Sequence, residues 1–323
     1  MPEGRVDVAV VEDVWGPAFD ALASDLVVTR TPDAWTRPDE LPAVLTGTRA
    51  LVVRNRTTVD RALLAGCPSL QVVARAGVGL DNIDIGAADD LGVVVTAPLG
   101  ANAVSVAEHT LGLALAVARH TIPLDRSVRS GEWNRRPGRE LAGGVWGIVG
   151  FGATGRAVAR AARGLDMEVV AHDPYVDEAT AGVPMAPLDD VVARADVISV
   201  HLPANPDTRG IVDAGLLART KPGAILVNAG RGEVVDEAAL AEALTSGHLF
   251  GAALDVRADE PPAPGPLDGL DNVVLTPHIA GITTQSQERI ADILAGDIRA
   301  VLDGTPARSA VGIARPARGG DRP

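Results

Sequence analysis

The feature that most constrains this chain is the stretch Val145–Asp173, where strand, glycine turn, helix, strand and acid follow one another without a break. Val145, Trp146, Gly147, Ile148 and Val149 form a short apolar run of the kind that becomes a buried strand. Gly150-Phe151-Gly152-Ala153-Thr154-Gly155 comes next, followed by a helical pattern over Arg156–Leu165 and a second run, Glu168–His172, that ends on Asp173. In a dinucleotide-binding unit each glycine has its own task. Gly150 permits the tight turn, Gly152 lets the backbone approach a pyrophosphate, and Gly155 brings helix and strand close together. The first-turn N–H groups of the helix, aided by its dipole, would face the phosphates. Asp173 can accept both hydroxyls of an adenosine ribose, and its charge opposes a 2′-phosphate, so NAD is expected over NADP. A glycine turn alone can be purely structural; the flanking strands, helix and terminal acid carry the reading.

At 323 residues the chain has room for two domains of ordinary size. Aromatics are only 2% of a composition that is 46% hydrophobic, so the cores must be built from Val, Leu, Ile and Ala. A net charge of −13 without a basic tract argues against nucleic acid or an anionic membrane as partner. Cys67 is the only cysteine, which excludes an internal disulfide and a thiolate metal cluster, and no metal is expected. Met1–Arg5 runs directly into a strand-like segment and does not read as a signal peptide. The longest apolar stretch, Val104–Val117, is interrupted by Glu108 and His109 and is too short to span a bilayer. A cytoplasmic location is expected.

Strand-like runs at Val6–Val11, Ala50–Val53, Gln71–Ala74 and Val93–Thr96 alternate with helical patterns such as Pro17–Leu26. After Asp173 the alternation resumes with Val197–His201, Ile225–Asn228, Gly251–Asp255 and Val273–Thr276. Such alternation predicts parallel α/β architecture. Asn102–Thr121 reads as one long helix ending before Pro123, with Glu108 and His109 structural or solvent-facing, and Arg126–Gly144 as a polar connection. Thr283–Leu302 reads as a final helix, followed by a polar tail, Gly304–Pro323, whose end is expected to lack order.

Ligands of open α/β sheets sit outside the carboxyl ends of the strands. Arg54 and Arg75 follow two of the apolar runs, and Arg75-Ala76-Gly77-Val78-Gly79 is a glycine-lined turn with N–H groups suited to an anion. Solvated surface arginines, or arginines bracing the loop against Asp81 or Asp84, are the alternative. Arg231 lies between Gly230 and Gly232, where its planar fork could meet a substrate carboxylate, although such an arginine also serves as a surface ion-pair partner. Asp255 could accept from a nicotinamide carboxamide. Glu260 precedes Pro261-Pro262, and His278 follows Pro277 at the last strand end; a histidine paired with a carboxylate is the usual proton carrier in carbonyl–alcohol interconversion.

With these residues in place the chain resembles the D-isomer-specific 2-hydroxyacid dehydrogenase family. The matching stretches are Gly150–Gly155 with His172-Asp173-Pro174-Tyr175, Val200-His201-Leu202-Pro203 with Asp207-Thr208-Arg209-Gly210, and Asn228-Ala229-Gly230-Arg231-Gly232 leading to Val235-Asp236-Glu237. Ala253-Leu254-Asp255-Val256 with Glu260-Pro261, and Thr276-Pro277-His278, complete them. Arg75–Asn82 is most similar to the 3-phosphoglycerate dehydrogenase branch, in a short form without its regulatory domains. The loop Trp133–Leu141 departs from the family in being shorter and lacking its phenylalanine.

The resemblance implies two Rossmann-like domains with parallel sheets, the nucleotide domain (101–282) inserted into a discontinuous substrate domain (1–100 and 283–323). It implies Arg231 orienting the substrate, His278 as acid/base and Glu260 as its partner. NAD contacts are expected at Gly150, Gly152, Gly155 and Asp173 from the spacing above, and the resemblance adds Val78, Ala153, Thr154, Leu202, Ala229, Arg231, Asp255, His278 and Gly281. Substrate contacts are expected at Arg231 from the resemblance and at Arg54, Arg75 and Gly77 from their place at strand ends. The expected activity is NAD-dependent hydride transfer between nicotinamide and a D-2-hydroxy or 2-oxo acid, phosphorylated or phosphonate-bearing, in a homodimer joined through its nucleotide domains. A reductase of unphosphorylated acids such as hydroxypyruvate or glyoxylate, and a non-catalytic NAD-sensing regulator, are the alternatives. Formate oxidation is disfavoured, since the family's formate enzymes carry glutamine in place of Glu260.

Overall fold

The computed structural model describes residues 6–14 and 17–313. In chain order its strands are β1 (Val8–Val10), β2 (Val28–Arg30), β3 (Ala50–Val53), β4 (Val72–Arg75) and β5 (Val94–Thr96). They continue as β6 (Val145–Val149), β7 (Glu168–His172), β8 (Val197–Val200), β9 (Ile225–Asn228), β10 (Gly251–Leu254), β11 (Val273–Leu275) and β12 (Ala310–Val311). The fold is α/β, and the chain divides into two compact units, Met1–Asn102 with Thr283–Pro323, and Ala103–Ile282.

The first unit holds a sheet of order β12-β5-β4-β3-β1-β2, parallel except for β12. Alternate residues of each strand point to opposite faces, and both faces are covered, which is why these strands read as unbroken apolar runs. Ala9, Leu51, Val53, Val73 and Val95 pack on one side with Leu45, Leu63, Leu64 and Ala88 from the intervening helices. Val8, Val10, Val52, Val72 and Ala74 pack on the other against Phe19, Leu22 and the Ile290–Val301 stripe of the last helix. That helix, Thr284–Leu302, is capped by Thr283 and Ser286, each side chain bonding the other's backbone N–H. Its apolar stripe explains why the unit is discontinuous: without it one face of the sheet would meet water.

The second unit is a wholly parallel sheet of order β11-β10-β9-β8-β6-β7. Trp146, Ile148, Ala171 and Val227 meet Leu113, Ala114, Val117 and Val158 on one face. Val149, Ile198, Val200, Leu226 and Leu254 meet Leu216, Leu217, Leu240 and Leu244 on the other. In both sheets the first strand has its successor on one side and the next strand on the other, so each has a switch point at its carboxyl edge. A crevice is expected there.

Three expectations from the sequence need correction. The long helix after Asn102 is two helices, Ala103–Ala118 and Thr121–Arg129, broken at His120, whose φ of 54° lies in the left-handed region. Pro123 does not stop a helix but sits in the first turn of the second one, where a missing N–H costs nothing. The helix expected over Pro17–Leu26 extends only over Ala18–Leu22.

Finally, the tail is not wholly irregular: β12 pairs antiparallel with β5, while residues 314–323 lie outside the described residues. Asp297, 2% exposed, draws β12 in by accepting from the N–H groups of Arg308 (2.7 Å) and Ser309 (3.2 Å) and from the Ser309 hydroxyl. Asp297→Ala strands those donors and is expected to lower unfolding free energy by about 2–3 kcal/mol, read as a lower urea midpoint. An unchanged midpoint would show that β12 adds nothing to the fold.

Candidate active site

At the switch point of the second sheet, β6 leaves through Gly150, whose φ of 93° favours glycine. A Cβ there would also lie 2.8 Å from the His201 carbonyl oxygen at the end of β8. A Cβ on Gly155 would sit 2.2 Å from the Gly150 oxygen, so the helix Ala153–Arg163 can approach its strand only with glycine at that position. Gly152 is different: a Cβ there would meet nothing within 4 Å, and as N-cap it gives the helix no side-chain cap. The first helical N–H groups, beginning at the exposed Ala153 and half-exposed Thr154, therefore open onto space that an anion can fill. Asp173 holds the turn by accepting from Phe151 N–H (2.8 Å) and Tyr175 N–H (3.0 Å), and a carboxylate has acceptor capacity beyond those two bonds. A bare helix N-terminus, an open backbone and an acid at the next strand end suit the two phosphates and ribose of NAD.

Leu202 and Ala229, at the ends of β8 and β9, are partly exposed beside this turn. A Cβ on Gly230 would meet the backbone of Leu202 at 2.9–3.0 Å, so the two exit loops lie against each other. The His201 ring nitrogens are buried and have no hydrogen-bond partner among the described residues, and burial pushes the imidazole pKa down to about 4. It is neutral at physiological pH.

Arg231, Glu260 and His278 leave from three neighbouring strands, β9, β10 and β11. Asn228, fully buried at the end of β9, shapes the arginine loop by accepting from Gly230 N–H (3.0 Å) and donating to Arg231 O (2.9 Å). The half-buried Arg231 also donates from Nη1 to Gly230 O at 2.9 Å. His278 Nδ1 lies 2.7 Å from Glu260 Oε2. Burial opposes charge on Glu260, but the hydrogen bond and charge of His278, with the Arg257 N–H, outweigh it and hold the carboxyl below its usual range. With an ionised Glu260 on Nδ1 as acceptor, the ring Nε2 is the nitrogen left to exchange a proton.

Asp255 anchors the histidine loop. It is 1% exposed and accepts from the Thr276 hydroxyl (2.6 Å), Ile279 N–H (2.9 Å) and Ala280 N–H (2.9 Å), while its backbone oxygen accepts from His278 N–H (2.7 Å). Burial raises its pKa, yet the bonds from His109, Thr276, Ala280 and Ile279 lower it further, below the ordinary carboxylate range. His109, which the sequence left without a particular partner, lies with Nε2 3.1 Å from Thr276 Oγ1 and 3.4 Å from Asp255 Oδ1. Its position on the helix face gave no signal of this, because the partner lies far along the chain. Gly281 is partly exposed at the end of the loop.

In the first unit Arg75 ends β4 and Arg54 follows β3. Neither is a solvated surface side chain: Arg75 is 7% exposed and Arg54 half-buried. The buried Glu12, missed in the sequence, accepts from the N–H groups of Arg54 (2.8 Å), Arg56 (3.1 Å) and Thr57 (3.0 Å). Arg54 donates from its side chain to Asp13 O, and burial draws its pKa down against the opposing charges of Glu12 and Asp13. The glycine-lined turn offers fewer open donors than its sequence suggested. Ala76 N–H bonds Val53 O and Gly77 N–H bonds Arg75 O, while the Arg75 guanidinium fills the space where a Gly77 Cβ would be. Asp84, named above as a possible brace, caps the helix Ile85–Leu91 instead. Val78 is partly exposed.

The glycine turn, the carboxylate–histidine pair and the arginine loop all follow carboxyl ends of strands in one parallel sheet. Residues 111–280 match the family described as D-isomer specific 2-hydroxyacid dehydrogenase, NAD binding domain. The chain is 45% identical over 311 residues to D-3-phosphoglycerate dehydrogenase of Mycobacterium tuberculosis, covering 95% of this chain and 59% of that protein. It is also 45% identical over 263 residues to (S)-sulfolactate dehydrogenase of Chromohalobacter salexigens, covering 79% of this chain and 85% of the relative. The solved structure of the TT0316 protein from Thermus thermophilus superposes with a TM-score of 0.90 at 35% identity, covering 95% of this chain and 100% of that one. The chain belongs to the D-isomer-specific 2-hydroxyacid dehydrogenase family, an NAD-binding oxidoreductase family, and spans 59% of the length of the phosphoglycerate dehydrogenase relative.

Two outcomes follow from the geometry. Asp173→Ala is expected to narrow the preference for NADH over NADPH by at least about tenfold in dissociation constant, ~1.4 kcal/mol, measured by fluorescence titration. Equal affinity of the unaltered protein for both cofactors would reject that role. The depressed Glu260 carboxyl adds stability that is present above its ordinary value of 4.5 and is lost as pH falls through its lower folded value. Glu260→Gln should therefore remove part of the acid-side slope of stability below about pH 5, followed by urea midpoints; an identical slope would show that the pair is not formed.

Proposed function

We propose that the protein is an NAD-dependent dehydrogenase that interconverts a D-2-hydroxy acid and its 2-oxo acid, and that the substrate carries a second anion, as 3-phosphoglycerate does. The observation that carries the reading is the Glu260–His278 pair, 2.7 Å apart, on the exits of β10 and β11, with β10 next to the strand that bears Arg231. NAD, when bound, supplies the hydride acceptor or donor. Gly150, Gly152, Ala153, Thr154 and Gly155 would hold its phosphates, Asp173 its ribose, and Val78, Leu202, Ala229, Arg231, Asp255, His278 and Gly281 the remainder. The Arg231 fork receives the substrate carboxylate and polarises the neighbouring carbonyl. His278 gives a proton to the carbonyl oxygen in reduction and takes it back in oxidation, while Glu260 fixes the tautomer and stabilises the imidazolium. We assign residues 1–100 and 283–323 to the substrate domain and 101–282 to the nucleotide domain.

The second anion is assigned to Arg54 and Arg75, with Gly77 beside them. Both arginines stand at carboxyl strand ends, and the Arg54 loop is braced by a buried carboxylate rather than left to solvent. The names of two relatives point the same way, since 3-phosphoglycerate and sulfolactate are both three-carbon hydroxy acids bearing a further anionic group. We place the protein in the cytoplasm as a homodimer; exposed apolar side chains on the second unit at Ile122, Val128 and Trp133 support the dimer.

A panel of 2-oxo acids with and without phosphate, phosphonate or sulfonate groups, followed by NADH absorbance, tests the substrate. Arg75→Leu is expected to raise KM for the preferred dianionic acid at least about tenfold, ~1.4 kcal/mol, and to leave glyoxylate nearly unaffected. A preference for unphosphorylated acids, or equal weakening of both classes, would reject the second anion and leave a glyoxylate- or hydroxypyruvate-type reductase. Arg231→Ala is expected to lower kcat/KM by on the order of 10²-fold or more with NADH affinity nearly unchanged; normal turnover would remove Arg231 from the mechanism.

A further inference from the structure

Glu260 sits on the connection between β10 and β11, which contains neither helix nor strand. Such a segment keeps a carboxylate aimed at His278 only if something ties it down. Asp255 secures its start. The next tie is Arg257, a charged side chain that is 9% exposed. Its Nε and Nη2 donate to Glu237 Oε1 (2.9 Å) and Oε2 (2.7 Å), a two-point fork on the first residue of the helix Glu237–Thr245. Its Nη1 lies 3.4 Å from Asp268 Oδ1, and the other Asp268 oxygen accepts from Gly265 N–H at 2.8 Å. Glu237 Oε1 also accepts from Ala258 N–H at 3.1 Å, so the acid grips backbone as well as side chain.

The backbone of Arg257 touches both halves of the proposed reaction site. Its N–H donates to Glu260 Oε1 at 3.2 Å, leaving Oε2 for His278. Its carbonyl lies where a Cβ on Gly232 would come within 1.9 Å, so the loop bearing Arg231 rests directly on it. Displacing Arg257 therefore displaces the Glu260 and Arg231 supports together. A half-desolvated ion pair contributes little net stability compared with apolar packing, but a bidentate one fixes a single geometry. Mutual attraction is evident in the charges: the Arg257 hydrogen bond holds Glu237 below its usual carboxylate range, and Glu237 raises the guanidinium.

We propose that Arg257, clamped by Glu237, is a positioning residue that sets Glu260 and the Arg231 loop for proton and substrate handling. This rests on the function proposed above. Arg257→Met and Glu237→Gln, made in the full chain, are expected to lower kcat at least about tenfold on whichever 2-oxo acid the unaltered protein reduces. The NADH dissociation constant should stay within about twofold. Arg257→Lys should recover part of the loss through a single bond, and the double variant should be no worse than the poorer single one. Unchanged kcat in both single variants, or losses that add in the double variant, would overturn the proposal. So would a fall in thermal stability alone. If the unaltered protein reduces no 2-oxo acid, the dehydrogenase reading fails but the clamp is still decided by hydrogen exchange at the Arg257 and Ala258 amides. Exchange at least about tenfold faster in Glu237→Gln supports it, and unchanged exchange overturns it.

Discussion

A carboxylate with almost no exposure must collect donors or give up its charge. Asp255 collects them from three directions: a hydroxyl on the neighbouring strand, two backbone N–H groups beyond it, and the His109 ring on a helix. The consequence is geometric. Two consecutive residues after His278 are bonded to one rigid carboxylate, and His278 itself takes a left-handed φ of 54°, a conformation that persists only where its surroundings dictate it. The imidazole direction is thereby set from strand β10, and the Glu260 carboxylate approaches it from the same strand's exit.

The two sheets share a strand order, yet their switch points have been used in opposite ways. In the first unit the Glu12 carboxylate takes up three backbone N–H groups of the loop after β3. In the second unit the turn after β6 carries glycine and leaves its helix N-terminus uncapped. Glu12 stiffens the loop that carries Arg54, whereas the uncapped helix leaves its first N–H groups without intrahelical partners. The same topology thus presents guanidinium groups at the strand ends of one sheet and backbone N–H groups at those of the other.

Polar residues at strand ends bear most of this organisation. Asn228 shapes the Arg231 loop, Asp255 the histidine loop, Asp173 the glycine turn, and Arg257 the segment between β10 and β11. The first three do so by bonding backbone, which is the group that a loop without regular structure leaves unsatisfied, and Arg257 by bonding two carboxylates.

Much of this was written locally in the chain. The apolar runs Ala50–Val53, Val145–Val149, Glu168–His172 and Ile225–Asn228 became strands with those bounds, and Thr283 was the cap of the final helix. The glycine spacing and the Asp173 position were equally legible, because a turn, its helix and the next strand are contiguous and obey short-range sterics. What lay between distant segments was not legible. The role of Glu12 and the networks around Asp255 and Arg257 join residues far apart in the chain. A charged residue in a sequence looks the same whether it will face water or be buried against a partner. Only the packing of the sheets decided which of these charges were withdrawn from solvent and obliged to hold a loop in place.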